Sequence, residues 1–206
     1  MIRDAKDLKR YTASERVNHW LVGMCFILLA VSGLAFFHPL FFPLSALLGG
    51  AVWARILHPM LGVLMTLCFL VFFLRLWKLN IMYAFDWDWL KRVREMANGS
   101  DENMPEQGKY NGGQKIMFWV QALCIILLLL TGIPLWRAYF DLPVGVVRVA
   151  AVIHATAAVV MIALTFVHIY AAIWVKGTIR AMWYGTVTRA WARQHHRGWY
   201  RQIMGK

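Results

Sequence analysis

The chain has 206 residues, of which 60% are hydrophobic, and its formal net charge is +12. Soluble domains are about 45–50% apolar, so this composition, with a mean hydropathy of +0.53, indicates a polytopic membrane protein. The basic residues flank apolar runs and do not cluster with exposed aromatic side chains, which argues against nucleic acid as a partner. The three cysteines lack disulfide or metal spacing, and the absence of Cys-x-x-Cys-His excludes covalent haem.

Four apolar runs are long enough to cross a bilayer as helices. They are predicted at about residues 18–37, 56–75, 116–136 and 149–175. A basic segment, residues 1–16, precedes the first run, and one long polar segment separates the second run from the third. Residues 176–206 form a basic tail with interleaved tryptophans. We therefore predict an all-α membrane protein, a single domain over residues 1–206 built as a four-transmembrane-helix bundle.

Lysine and arginine are distributed unevenly between the segments that join these spans. The N-terminal segment, residues 75–115 and the tail hold 19 of the 22, whereas the connections after the first and third spans hold 3. Lys and Arg are enriched on the cytoplasmic side of membrane proteins. Both termini and the long polar loop are therefore predicted to be cytoplasmic.

The fourth span carries two histidines, His154 and His168, in a run without Asp, Glu, Lys or Arg between Arg148 and Lys176. The histidines are 14 residues apart, so at about 100° per residue they leave the same helix face, about 21 Å apart along the axis. Two imidazoles at two depths suggest two stacked metal centres. Haem b is the centre best suited to a helix bundle that offers histidine ligands.

Two more histidines match these depths, because His19 begins the first span and His58 begins the oppositely directed second span. A six-coordinate haem iron needs two axial ligands at one depth. The predicted pairs are His58 with His154 for an outer haem, and His19 with His168 for an inner haem. A Gly or Ala follows each of the four by one helical turn, and Gly33 can make room for the outer haem. His38, His195 and His196 are not expected to bind metal.

A short motif, Tyr110-Asn-Gly-Gly-Gln-Lys115, precedes the third span at the predicted depth of the inner haem. Asn111 and Gln114 offer amide donors to a quinone carbonyl, and the glycines let a ligand approach the backbone. The local sequence alone favours a helix start with a Gly-rich turn. The predicted spans contain no Asp or Glu, which argues against a proton-relay pump and leaves electron transfer as the available chemistry.

Over nearly its whole length the chain resembles the cytochrome b (gamma) subunit of respiratory formate dehydrogenases. The matching stretches are Tyr11-Thr-Ala-Ser-Glu-Arg-Val-Asn-His19-Trp, Ala54-Arg-Ile-Leu-His58-Pro, Tyr110-Asn-Gly-Gly-Gln-Lys115, Val167-His168-Ile-Tyr-Ala-Ala-Ile-Trp-Val-Lys-Gly-Thr-Ile179 and Ala190-Trp-Ala-Arg-Gln-His-His-Arg-Gly-Trp-Tyr.

The resemblance implies a bacterial inner-membrane subunit with two haems b, with the same two histidine pairs as axial ligands. It also implies a quinone site, for menaquinone or ubiquinone, at Asn111, Gly112 and Gln114 with His168 beside it. The implied partners are a catalytic (alpha) subunit containing molybdenum or tungsten and an iron–sulfur (beta) subunit, in a trimer of heterotrimers. Formate would be oxidised in the catalytic subunit outside the membrane, and its electrons would cross through this chain to quinone near the cytoplasmic face.

Three other interpretations stay open at this point. The same chemistry would suit the membrane cytochrome of a hydrogenase or thiosulfate reductase complex, or a stand-alone di-haem cytochrome b that oxidises quinol. The third is a non-redox membrane anchor whose histidines only pack, because a lone histidine in an apolar run is often a hydrogen-bonded packing residue.

Overall fold

The computed structural model describes residues 6–98 and 104–205, and these are mostly helical. In chain order the elements are β1 (Leu8–Lys9), α1 (Ala13–Phe37), a 3-10 helix (Pro39–Leu48), α2 (Ala51–Leu76), a second 3-10 helix (Trp77–Asn80), α3 (Ala84–Lys91), α4 (Val93–Ala97), α5 (Gly112–Leu135), α6 (Val144–Trp174), α7 (Thr178–Tyr184), β2 (Thr186–Val187), α8 (Arg189–His195) and α9 (Arg197–Met204). Four of them, α1, α2, α5 and α6, are long and apolar enough to cross a membrane. The four predicted spans are therefore confirmed as helices.

Each of these long helices begins several residues before its predicted start. The first turn of α1 is closed by Thr12 and Glu15: the Thr12 hydroxyl accepts from the Glu15 N–H at 3.2 Å, and the Glu15 carboxylate accepts from the Thr12 N–H at 2.7 Å. This is a capping box, which satisfies backbone donors that the helix leaves unpaired. The start of α2 follows Gly49 and Gly50, whose φ angles of 85° and 97° reverse the chain. Caps and turns, not the nearest charged residue, determine where the helices begin.

The described residues divide into two compact units. We call the first the span unit; it comprises residues 17–74 and 121–167. Within it, side-chain contacts join α1 to α2, α2 to α6, and α6 to α5. Many of its apolar side chains are exposed, such as Phe166 at 70% and Leu130 at 58%. Helices that are apolar on all sides are typical of membrane spans, so these exposed side chains are suited to contact lipid.

The second unit, which we call the terminal unit, comprises the described parts of residues 1–16, 75–120 and 168–206. Here β1 pairs antiparallel with β2, with Leu8 opposite Val187. Leu8 and Val187 belong to a small core completed by Ala181, Trp191, Ala192 and Trp199. Asp7 forms a buried ion pair with Arg180. The described parts of the basic N-terminal segment and of the basic tail thus belong to one folded core.

Arg10 lies at the centre of the terminal unit, with 3% of its surface exposed. Its guanidinium lies 4.9 Å from the ring centroids of both Trp191 and Trp199, where cation–π attraction stabilises the charge. One of its nitrogens donates to the Lys109 carbonyl at 2.5 Å and lies 3.2 Å from His196 Nε2. Because arginine only donates, Nε2 must accept, and His196 Nδ1–H then donates to the Gly108 carbonyl at 2.8 Å.

A buried ion pair attaches α3 to the start of α5. Lys115 Nζ lies 2.5 Å from Asp86 Oδ2, and the two side chains are 4% and 0% exposed. Lys115 also donates to the Ile81 carbonyl at 3.1 Å, and Asp86 Oδ2 accepts from the Tyr83 N–H at 2.9 Å. These contacts fix the polar segment before the third span. The sequence predicts no internal structure for that segment.

The stability of the terminal unit should fall in acid because of His196. Burial, together with the Arg10 guanidinium, lowers the pKa of His196 well below its ordinary 6.5. Below about pH 6.5 the unfolded chain therefore binds a proton that the folded chain excludes, so stability is lost as the pH falls, by at most about 1.4 kcal/mol per pH unit. Thermal unfolding followed by tryptophan fluorescence between pH 7.5 and about pH 5 measures this slope.

His196→Gln should reduce the slope, because an uncharged amide can accept from Arg10 and donate to Gly108 in the same way. His195→Gln is the matched control and should keep most of the wild-type slope, because His195 is the smallest of the causes that shift the pKa of His196. An undiminished acid slope in His196→Gln would contradict the assignment.

Breaking the Asp86–Lys115 pair should destabilise the protein strongly. Asp86→Ala leaves the Lys115 ammonium buried without its counter-ion, which costs about 3–5 kcal/mol. Asp88→Ala is the matched control, because Asp88 pairs with Lys91 on the surface, where the side chains are 58% and 76% exposed and a pair contributes about 0–1 kcal/mol. The thermal unfolding midpoint in detergent should fall clearly for the first variant only, and Asp86→Ala with Lys115→Met should recover part of the loss. Equal effects of the two alanine variants would contradict the role of burial.

Candidate functional site

The span unit brings two of the predicted ligands together. The ring centroids of His58 on α2 and His154 on α6 are 6.3 Å apart, with the ring planes tilted by 56°. An imidazole nitrogen binds a transition metal at about 2 Å. The distance from that nitrogen to the ring centroid is added on each side of the metal. The centroids of two imidazoles that bind one metal ion from opposite sides are therefore roughly 6 Å apart. The His58–His154 separation therefore fits a single iron held by both side chains.

The donor set also suits a metal that brings most of its own ligands. Among residues 6–98 and 104–205, no group of three or more His, Cys, Asp or Glu side chains converges as a metal site. Two imidazoles alone leave most positions of a six-coordinate iron to another ligand, and in haem the porphyrin nitrogens fill four of them. The His58–His154 pair therefore fits haem b.

Each of these imidazoles is held by a hydroxyl on a neighbouring helix. Ser32 Oγ on α1 lies 2.7 Å from His58 Nδ1, and Thr131 Oγ1 on α5 lies 3.0 Å from His154 Nδ1. Ser32 is fully buried. In both histidines the contact engages Nδ1 and leaves Nε2 as the nitrogen that can bind iron.

Glycines lie beside both rings. A Cβ atom added to Gly33 would lie 3.6 Å from His58 Cε1, and one added to Gly132 would lie 3.6 Å from His154 Cε1. The predicted role of Gly33 at the outer-haem depth agrees with its place beside His58. At Gly23 an added Cβ would meet no described atom within 4 Å, and at Gly62 only Leu29 Cδ2 at 3.9 Å. At these positions on α1 and α2 the space beside the helix backbone is thus open.

The two members of the predicted inner pair fall in different units. His19 belongs to the span unit, where its ring centroid lies 6.3 Å from that of Phe72. His168 belongs to the terminal unit and lies one turn and a half before the end of α6 at Trp174. Their pairing as ligands of an inner haem stays a prediction.

The predicted quinone motif is the N-terminus of α5, as its local sequence favoured. Asn111 Oδ1 accepts from the Gln114 N–H at 2.9 Å, and Gln114 Oε1 accepts from the Asn111 N–H at 3.1 Å. The two side chains form a capping box that uses both amide oxygens. The NH2 groups of Asn111 and Gln114 are then the donors with which this motif could bind a carbonyl.

The glycines of the motif lie against α3. A Cβ atom at Gly112 would lie 2.6 Å from the Asp86 carbonyl oxygen, and one at Gly113 would lie 3.1 Å from the Trp89 ring. A Cβ at the first distance requires the chain to shift, so Gly112 allows the motif to pack closely on α3. Lys115, the last residue of the motif, is buried in its ion pair with Asp86.

The other histidines have local roles. His38 caps the 3-10 helix Pro39–Leu48, with Nδ1 accepting from the Leu40 N–H at 3.2 Å. His196 connects Arg10 to Gly108, as described above, and the ring centroid of His195 lies 5.5 Å from that of Trp191.

Three residues around these sites are not predicted from the sequence: Ser32, Thr131 and Asp86. One signal could have found the first two, because Ser32-Gly33 and Thr131-Gly132 place a hydroxyl beside a glycine near the C-terminal end of the first and third spans. No comparable signal marked Asp86, which is one of several acidic residues in a polar segment.

Comparisons with known proteins point to one family. The profile of a family described as prokaryotic cytochrome b561 matches residues 10–185. The cytochrome b556(fdo) subunit of formate dehydrogenase from Escherichia coli K12 is 46% identical over 94% of this chain and 92% of its own length.

Two further relatives carry similar names. The cytochrome b556(Fdn) subunit of the nitrate-inducible formate dehydrogenase from Escherichia coli K12 is 40% identical over 97% of this chain and 93% of its own length. The formate dehydrogenase cytochrome b556 subunit from Haemophilus influenzae is 40% identical over 94% of this chain and 82% of its own length. Together with the apolar helices and the paired imidazoles, these matches show that the chain belongs to the prokaryotic cytochrome b561 family and, within it, to the cytochrome b subunits of formate dehydrogenases.

Proposed function

We propose that this chain is the membrane subunit through which a formate dehydrogenase passes electrons to quinone. Electrons would enter from catalytic and iron–sulfur subunits on the outer side, and quinone would be reduced near the cytoplasmic face. The relatives are named as subunits of formate dehydrogenase, which favours this function over a hydrogenase or thiosulfate reductase subunit. The observation that carries the proposal is the His58–His154 pair inside the span unit.

The chain binds haem b as a member of a cytochrome b family. We assign the outer haem to His58 and His154, which would hold its iron through the nitrogen that each ring leaves free. We assign an inner haem to His19 and His168 because their predicted depths match. When bound, each haem supplies a one-electron carrier, and two carriers at two depths would cover the thickness of the membrane.

The quinone site is assigned to the start of α5. Reducing a quinone to quinol takes two electrons and two protons, so its carbonyl oxygens need hydrogen-bond donors within reach of water. The capping box orients the NH2 groups of Asn111 and Gln114 while keeping the backbone of Gly112 close to α3. The motif therefore combines a rigid backbone with two amide donors at the end of a membrane span.

The proposed direction follows from charge. The segments rich in Lys and Arg include both termini and the loop that contains Asn111, so the positive-inside rule places the quinone site on the cytoplasmic side. Protons released by formate oxidation outside and protons taken up by quinone inside would separate charge across the membrane. Electron movement alone then suffices to separate the charge, and no proton path through the spans is required. This agrees with spans that lack Asp and Glu at depth.

Replacing His58 tests the electron pathway. His58→Ala should remove one of two haems and halve the reduced-minus-oxidised absorbance of the purified complex, and formate-to-quinone turnover should be lost. Formate oxidation with a soluble dye should continue, because it takes place in another subunit. His38→Asn is the matched control: it replaces a histidine outside the spans, keeps a side-chain acceptor for the Leu40 N–H, and should leave both activities unchanged.

Unchanged quinone turnover in His58→Ala would contradict the pathway. A wild-type complex without cytochrome b absorbance bands would instead support the non-redox anchor.

Two substitutions at Asn111 separate its amide donor from its capping role. Asn111→Asp keeps an oxygen that can accept from the Gln114 N–H and so retains the cap, but it loses the NH2 donor; Asn111→Ala loses both. Both variants should slow quinol formation while retaining the haem absorbance and dye-linked formate oxidation. Only Asn111→Ala should also lower the unfolding midpoint, because loss of the cap costs about 0.5–2 kcal/mol of stability.

Steady-state assays with a soluble quinone analogue measure the first effect, and thermal unfolding measures the second. Full quinone turnover in Asn111→Asp would mean that the amide does not bind quinone. Loss of haem in either variant would mean that the loop holds the haem and not the quinone.

A further inference from the structure

The outer histidines share one hydrogen-bond arrangement on two different helices. Ser32 Oγ contacts His58 Nδ1 at 2.7 Å and the Leu28 carbonyl of its own helix at 2.8 Å. Thr131 Oγ1 contacts His154 Nδ1 at 3.0 Å and the Leu127 carbonyl at 2.5 Å. In each case a hydroxyl lies between an imidazole and the carbonyl one turn earlier in its helix.

Counting the hydrogens fixes the direction of these bonds. A hydroxyl has one hydrogen, and a carbonyl oxygen can only accept. The hydroxyl hydrogens of Ser32 and Thr131 are therefore donated to the helix carbonyls. The contacts with Nδ1 are then possible only if Nδ1 carries the hydrogen and donates it to the hydroxyl oxygen. Both imidazoles are thus held as the tautomer in which Nε2 keeps its lone pair, which is the form that binds a metal.

A glycine lies beside each of the same rings. Gly33 and Gly132 follow the two hydroxyl residues directly and lie beside Cε1 of His58 and His154. Each ring therefore has a hydroxyl-glycine pair of the preceding membrane helix beside its Nδ1–Cε1 edge: the hydroxyl contacts Nδ1, and the glycine carries no Cβ toward Cε1. The repetition of this arrangement in both halves of the chain indicates that the pair has a specific task, since a packing role alone would not require a hydroxyl at both places.

We propose that Ser32 and Thr131 are positioning residues that hold the outer-haem ligands as Nδ1–H tautomers and lower the reduction potential of that haem. The inference rests on the proposed assignment of haem to His58 and His154. An imidazole that donates its second N–H to an acceptor becomes a more basic ligand. Greater electron donation stabilises the oxidised iron, which carries the larger positive charge, so loss of the acceptor should raise the potential.

The test is a spectroscopic redox titration of the purified complex carrying Ser32→Ala or Thr131→Val. Both substitutions remove the hydroxyl with little change in volume. Each variant should raise the midpoint potential of the outer haem, assigned to His58 and His154, and leave the potential of the other haem unchanged. Electron paramagnetic resonance of the oxidised protein should show an altered signal for the outer haem. The conservative variants Ser32→Thr and Thr131→Ser should restore values close to those of the wild type.

Thr156→Val is the matched control. Thr156 Oγ1 makes the same bond to the carbonyl one turn earlier, to Val152 at 2.8 Å, but its side chain is exposed. This variant should not move either potential. A lack of any shift in both Ser32→Ala and Thr131→Val, with both haems bound, would overturn the inference and leave the proposed function intact.

If Ser32→Ala loses a haem, the conservative variant keeps the inference testable. Recovery of that haem in Ser32→Thr would support a positioning hydroxyl, and failure to recover it would count against one. The proposed function fails separately, if His58→Ala retains both haems.

Discussion

The hydrogen bond between an imidazole and a hydroxyl is the contact on which the proposed haem site depends. Inside a membrane span no water is available to an unpaired N–H, and leaving such a group unsatisfied is costly. His58 and His154 meet this requirement through Ser32 and Thr131, whose own hydrogens are donated to carbonyls within their helices. A polar side chain can therefore lie at depth without disrupting the helices around it. The same bonds leave Nε2 of each ring available to iron. The hydrogen bond that satisfies the buried imidazole therefore also prepares it as a ligand.

The terminal unit also buries polar side chains, but these are cations and not imidazole rings. Arg10, Lys115 and Arg180 are buried cations, and each has partners close by: aromatic rings and a carbonyl for Arg10, and carboxylates for the other two. The partners come from segments far apart in sequence, so these contacts hold the N-terminal segment, the polar loop and the tail in one core. The start of α5, where we place the quinone, belongs to this core, and its backbone is thereby fixed before any ligand binds.

Much of the candidate site was predictable from sequence because its signals are local or periodic. The four spans follow from apolar length, and the same-face placement of His154 and His168 follows from helical periodicity. The pairing of His58 with His154 needed one further step, a comparison of depths along antiparallel spans. The helices begin several residues before their predicted starts, because they start at capping residues such as Thr12 and Asn111 and not at the nearest charged residue.

The sequence by itself determined the number of spans, the four candidate histidines and the expected sidedness, because hydrophobic length, spacing and charge count do not depend on which segments meet. Only the tertiary structure decided which hydroxyl holds each imidazole and that Asp86 is the counter-ion of Lys115. It also placed the basic tail in a core with Arg10. These contacts join residues separated by tens of positions or more, and each competes with many chemically similar residues elsewhere in the chain. Packing in three dimensions selects the partner among these similar residues, and a sequence pattern does not contain that information.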